Sequence, residues 1–105
     1  MKSPRETALV KTVIEYLSLR GWLSWRNNTG RLKVGQRLVS FGRVGSGDVF
    51  AVRDGVFLSV ECKMPGRQPT EHQREWIDSV NRHGGMAMVV RSIEDLIRVV
   101  EGIEA

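Results

Sequence analysis

Cysteine is nearly absent from the 105 residues: Cys62 stands alone, which excludes an intrachain disulfide and leaves a zinc centre without a thiolate cluster. No apolar run reaches the roughly 18 residues of a membrane span, so no membrane-embedded role is expected. The opening "MKSPRETALV" lacks the apolar core of a secretory leader, and a cytoplasmic location is the expectation. Repeats, low-complexity segments and linker-like stretches are missing too. A chain of this length is expected to form one domain over residues 1–105, large enough for a core but too small for two. "GRVGSGD" does not continue into Gly-Lys-Ser/Thr, so it is not a phosphate-binding P-loop.

Acid is the scarcest commodity in the middle of the chain. Across residues 20–53, seven basic residues (Arg20, Arg26, Arg31, Lys33, Arg37, Arg43 and Arg53) face one acid, Asp48. From residue 71 onward, seven acids accompany four arginines. With a formal net charge of +4, this asymmetry predicts one face that attracts polyanions. A merely solvated basic loop is the plainer alternative, but it does not explain the isolated Asp48.

What is present reads as alternating helices and strands. Ser3-Pro4-x-Glu6 opens a helix with serine as N-cap, proline in the first turn and glutamate at the third position. Leu9, Val10, Val13, Ile14 and Leu17 recur at helical spacing, and Gly21 is the stop. Residues 22–28 read as a strand, and the glycine- and arginine-rich stretch after them as a loop with a short hairpin around 33–40. Residues 48–52 and 56–63 form strands joined by Asp54-Gly55, a strong two-residue hairpin signal. Thr70 caps a helix reaching residue 81, residues 86–91 form another strand, and Ser92 caps a last helix. The order α-β-β-β-α-β-α predicts an α/β fold with a mixed central sheet flanked by helices.

The Asp54-Gly55 turn fixes a register with chemical consequences. It sets Arg53 opposite Val56 and therefore Asp48 opposite Glu61, with Cβ atoms about 5 Å apart on one face. Lys63, two residues beyond Glu61, shares that face. Alone, Glu61-x-Lys63 reads as a surface ion pair. At the end of an apolar strand and opposite a second carboxylate, it reads as a site. Paired carboxylates repel, a bridging divalent cation removes the repulsion, and hard oxygen donors suit Mg²⁺ or Mn²⁺. Glu6 and Gln73 lie at the N-terminal ends of core-facing helical stripes. Both also fit capping boxes, Ser3-x-x-Glu6 and Thr70-x-x-Gln73, and helix N-termini favour phosphate as well.

These residues together resemble the PD-(D/E)xK nuclease superfamily and, within it, the VRR-NUC (virus-type replication-repair nuclease) family in a short stand-alone form. That family's pattern runs from an N-terminal helix acid through Gly-x-x-Asp or Gly-x-Asp and an apolar strand to Glu-x-Lys-x-Pro and a following Gln. Here it is met by Glu6, Gly45-Ser46-Gly47-Asp48, "LSVECKMPG" and Gln73. Asp48 follows glycine where the superfamily name anticipates proline. The resemblance implies a restriction-endonuclease-like αβββαβ core and Mg²⁺-dependent (or Mn²⁺-dependent) hydrolysis of DNA phosphodiesters. It implies Asp48, Glu61 and the Cys62 backbone carbonyl as metal ligands, with Glu6, Lys63 and Gln73 completing the catalytic set.

The expected function is a structure-specific endonuclease, resolving four-way (Holliday) junctions in DNA repair as a homodimer. Arg26, Arg31, Lys33, Arg37, Arg43 and Ser46 are expected to hold the DNA, chiefly by phosphate contacts that position without specifying sequence. A non-catalytic or unspecific DNA-binding or nicking module on the same fold is the alternative. Trp22 and Trp25 are expected in the core, His72 and His83 on a helix surface and its end, and Cys62 as a buried small residue.

Overall fold

The computed structural model describes residues 2–105. Helix α1 (Pro4–Leu19) starts at Ser3, whose hydroxyl accepts from the Glu6 amide while the Glu6 carboxylate accepts from the Ser3 amide, a complete capping box. Its stripe of Glu6, Val10, Val13 and Leu17 is buried. Gly21, at φ +86°, then turns the chain into strand β1 (Leu23–Arg26).

Strands β4 (Val49–Arg53) and β5 (Val56–Cys62) form the hairpin expected from Asp54-Gly55, both at positive φ (50° and 80°), the conformation a type I′ turn demands. Partners run from Arg53 opposite Val56 to Val49 opposite Val60 without a bulge. The Asp48 amide donates to the carbonyl of Val60, the partner of Val49, at 2.8 Å. The regular ladder thus ends at Val49, and the expected pairing of Asp48 with Glu61 is not part of it. Helix α2 (Glu71–Arg82) leads to strand β6 (Met86–Val90), which pairs in parallel with β5, and helix α3 (Ile93–Glu104) follows. The mixed sheet has the order β1-β4-β5-β6.

The two sheet faces carry different loads. Val49, Ala51, Leu58, Val60 and Cys62 are fully buried and cluster with Val10, Val13 and Leu17 of α1 and Leu96 and Val100 of α3. On the opposite face, Trp76 of α2 stacks on Phe50, with centroids 5.8 Å apart. The Trp76 indole N–H also donates to the Ser59 hydroxyl at 2.8 Å. Because this face is the one bearing Glu61, α2 sets the level of the site. Trp22 is core as expected, but Trp25 is 42% exposed. It lies opposite Phe50 on edge strand β1, beyond α2, which packs on β5 and β6.

The arginine-rich stretch holds more structure than a loop. Strands β2 (Gly30–Val34) and β3 (Arg37–Phe41) pair as a separate two-stranded ribbon. One ribbon face carries Leu32, Val34, Arg37, Val39 and Phe41, and the other carries Arg31, Lys33, Leu38 and Ser40. No helix among the described residues is long and apolar enough to cross a membrane.

Candidate metal centre and nucleic-acid face

Two glycines bring Asp48 to its place. A Cβ on Gly47 would lie 2.5 Å from the Ser59 hydroxyl and 3.0 Å from the Val60 carbonyl oxygen, so only glycine lets this segment lie flat on β5. Gly45, at φ +84°, presses equally close on the His72 backbone. Asn27 fastens the same segment, its amide donating to the Ser46 hydroxyl and the Gly47 carbonyl, both at 2.8 Å. Asp48 then turns its carboxylate to the end of β5, where Oδ2 accepts the Cys62 amide at 2.7 Å.

Glu61 is 3% exposed and faces the same point. Its Oε2 accepts from the Gln73 side-chain amide at 3.2 Å and from the Lys2 ammonium. Lys2 Nζ also lies 3.0 Å from Asp48 Oδ2, donates to the Cys62 carbonyl at 2.6 Å, and stands 3.9 Å from Glu6 Oε2. One cation thus meets all three oxygen groups expected as metal ligands. Sequence pattern carried no signal for Lys2, which precedes the helix cap and belongs to no periodic face.

The electrostatics follow from this crowding. Burial, then the Asp48 charge, push the Glu61 carboxyl up to about 7 against the pull of Lys2. Desolvation alone would depress the Lys2 ammonium, but its hydrogen bonds to Glu61 and Asp48 hold it above the ordinary lysine value. Burial likewise raises Glu6, yet the Ser3 hydrogen bonds and the charges of Lys2 and Lys63 leave it below the usual carboxylate range. The Cys62 thiol is pushed up to about 12 by burial and by Asp48, so it stays neutral and inert. Its carbonyl, not its sulfur, belongs to the site.

Glu6 and Gln73 each serve two purposes. The Gln73 side-chain oxygen accepts from the Thr70 amide at 2.8 Å, completing a capping box, while its nitrogen reaches Glu61. Lys63 is half-buried and lines the cleft. Among the described residues its ammonium makes no ion pair, which leaves it available to an anion.

This cleft, about 480 Å³, is walled by Lys2, Glu6, Asp48, Glu61, Lys63 and Gln73, with Arg26, Asn27 and Arg67 at its margins. No group of three His, Cys, Asp or Glu side chains close enough to hold a metal occurs among the described residues. The donor set is instead two carboxylates and a carbonyl. That oxygen-only set fits Mg²⁺, which keeps several waters when bound by one or two carboxylates, and a cation already marks the position.

The basic residues divide. Arg31, Lys33 and Arg37 are exposed on the ribbon, with Arg31 and Lys33 on one face and Arg37 on the other. Arg43 lays its guanidinium over the Trp76 ring, 5.4 Å from the centroid. Ser46 departs from the expected exposed contact. It is buried, and its hydroxyl donates to the Arg43 carbonyl at 2.6 Å while accepting from Asn27. It secures the Asp48 segment.

A mixed sheet whose β-hairpin ends in neighbouring carboxylates, with two helix N-termini aimed at them, defines a small α/β domain with a charged cleft. No protein-family model matches the sequence, and no curated protein does so significantly. A solved structure described as a "VRR_NUC domain" is similar, at a TM-score of 0.71 and 23% identity over 94% of this chain and 97% of that one. The fold is that of a VRR_NUC domain.

Proposed function

We propose that this chain is a metal-dependent DNA endonuclease acting on branched substrates. The observation that carries the reading is the meeting of Asp48 Oδ2, Glu61 Oε2 and the Cys62 carbonyl at one cationic point, inside a cleft that Lys63 also lines. The fold shared with a VRR_NUC domain supports it.

Asp48, Glu61 and the Cys62 carbonyl would hold Mg²⁺ or Mn²⁺. Such an ion supplies Lewis acidity toward the phosphoryl group and lowers the pKa of water. Lys63 offers its ammonium to the attacking water and to charge that grows on the phosphate in the transition state. Gln73 holds Glu61 in its orientation, and Glu6 keeps a carboxylate at the cleft wall, ionised across the neutral range. Arg26 at the cleft and the ribbon's Arg31 and Lys33 neutralise phosphates of the duplex, with Arg37 and Arg43 beside them.

The active form is a homodimer that cuts four-way junctions. Leu32, Val34, Val39 and Phe41 share one ribbon face and are each 44% to 60% exposed, and a two-stranded ribbon has little stability by itself. A second copy related by a two-fold axis would cover that face and supply the second of two symmetric cuts. One observation favours a second reading, a DNA-binding module without turnover: Lys2 already satisfies the three oxygens. Incubation with four-way junction, flap, duplex and single strand, in Mg²⁺ and in EDTA, separates the two, and sedimentation at micromolar concentration tests the dimer. Junction cleavage in Mg²⁺ only is expected. No cleavage of any substrate refutes the nuclease, and a monomer cutting every duplex alike refutes the resolvase.

A further inference from the structure

Lys2 is the residue that the proposed chemistry does not use and the geometry insists on. Its ammonium is the only side-chain cation among the described residues within 4.0 Å of Glu6, Asp48 or Glu61. It meets Asp48 Oδ2 at 3.0 Å and the Cys62 carbonyl at 2.6 Å and bonds Glu61 Oε2. Its side chain is only 19% exposed, although it lies two residues before α1. A lysine side chain loses substantial rotamer freedom when held in this way, and surface ion pairs rarely repay that loss. Here the return is larger, because Glu61 is buried and a buried carboxylate without a counter-charge is strongly unfavourable.

We propose that Lys2 is an exchangeable internal counter-ion of the metal centre. Its ammonium holds Asp48, Glu61 and the Cys62 carbonyl converged in the metal-free protein, and the divalent cation must displace it to bind. This rests on the nuclease reading above, since it assigns the same three oxygens to the metal. The ammonium and a divalent ion cannot both sit against those oxygens. Metal affinity is therefore the difference between two cations' hold on one point. Lys2 is anchored before the N-cap Ser3, so its long side chain can swing into the cleft without disturbing α1, toward the region lined by Arg26 and Lys63. There its charge adds to those that meet phosphate. Binding of metal would in this way recruit a further cation to the DNA face.

The test is calorimetric titration of Mg²⁺ and Mn²⁺ into the wild type and into Lys2→Met, which keeps an apolar stem of similar length. Charge-assisted hydrogen bonds of this kind shift an equilibrium by roughly tenfold to a hundredfold. Lys2→Met should bind either metal tighter by that factor, while its metal-free form melts at a lower temperature. Lysine-selective ¹³Cε–¹⁵Nζ NMR supplies the readout that a purely structural ion pair would leave still. The Lys2 signal, assigned by its loss in Lys2→Met, should move on adding Mg²⁺ to the wild type. Equal or weaker metal binding by Lys2→Met overturns the proposal, as does a Lys2 signal unmoved at saturating Mg²⁺. If neither protein binds either ion, the nuclease reading falls and takes this inference with it.

Discussion

Glu61 makes the metal-free protein sensitive to pH in a direction that can be worked out. Its carboxyl titrates at about 7 in the fold, against 4.5 for the free side chain, because it is buried and faces Asp48. Below pH 4.5 it is protonated in both folded and unfolded chains and contributes no slope. Between 4.5 and 7 the unfolded chain releases the proton while the folded one keeps it, so stability falls as pH rises. At about 1.36 kcal/mol per pH unit, the shift from 4.5 to about 7 is worth about 3 kcal/mol, fully lost above the folded pKa. For a domain this size that is a large share of the total, and it corresponds to about 2 M in the urea midpoint. Urea titrations in EDTA at pH 5 and pH 8 should therefore show the wild type losing most of that amount. Glu61→Gln, with the same shape and no charge, should show little of the loss. The difference between the two proteins isolates what the Glu61 charge contributes, its coupling to the groups it touches included. Millimolar Mg²⁺ at pH 8 should return the lost stability to the wild type and not to Glu61→Gln. Parallel pH profiles for the two proteins would refute the account of Glu61 as a strained, buried carboxylate.

Asp48→Asn and Glu61→Gln should each abolish cleavage while gel-shift affinity for DNA persists, and full Mg²⁺-dependent activity in either would remove the proposed site. Lys63→Ala should lose roughly 10²-fold to 10³-fold in single-turnover rate with metal affinity unchanged by calorimetry, whereas collapsed metal affinity would make it a structural partner of the carboxylates. Replacing Arg31, Lys33 and Arg43 by alanine should weaken binding to all DNA alike and reduce the salt slope by about 0.9 per lost phosphate contact; an unchanged slope would move the DNA face elsewhere. Gly47→Ala should cost about 1–3 kcal/mol in urea denaturation, because its Cβ meets the Ser59 hydroxyl at 2.5 Å, and a neutral effect would show that the Asp48 segment does not lie flat on β5.

Where local rules decide geometry, the sequence was informative. The Asp54-Gly55 turn settled the pairing of β4 with β5 as far as Val49 opposite Val60, which leaves Asp48 and Glu61 together at one end of the hairpin. Glu6 and Gln73 followed from capping-box spacing, which already aims an N3 side chain back over the helix start. The ribbon was legible only in part, since its Gly35-Gln36 turn carries no strong dipeptide signal and its strands extend to Gly30 and Phe41. Trp25 lies on an edge strand beyond the cover of α2, and Ser46 lies in the loop before β4, buried by its hydrogen bonds with Asn27 and Arg43; neither placement follows from sequence pattern. Lys2 was invisible for a related reason. Apart from Glu6, its partners lie 46 to 60 residues away, and nothing about an isolated lysine before a cap distinguishes it from a solvated one.

The charges in the cleft explain why such an assembly suits a phosphodiester. Glu6, Asp48 and Glu61 contribute three carboxylates, and Lys2 and Lys63 contribute two ammonium groups. The N-termini of α1 and α2 add partial positive charge, with Glu6 and Gln73 standing at the third position of each. Arg26 and Arg67 at the margin bring the basic groups to four. Formal charges with Glu61 ionised thus leave a surplus of one, and Glu61 resists ionisation first because it is buried and then because it faces Asp48. A divalent ion held by Asp48 and Glu61 would add to that surplus and offset the carboxylate repulsion that helps Glu61 keep its proton. One bridging phosphate carries one negative charge. A metal at this point would raise the attraction for phosphate, and phosphate the attraction for metal, so each is expected to bind more tightly in the presence of the other.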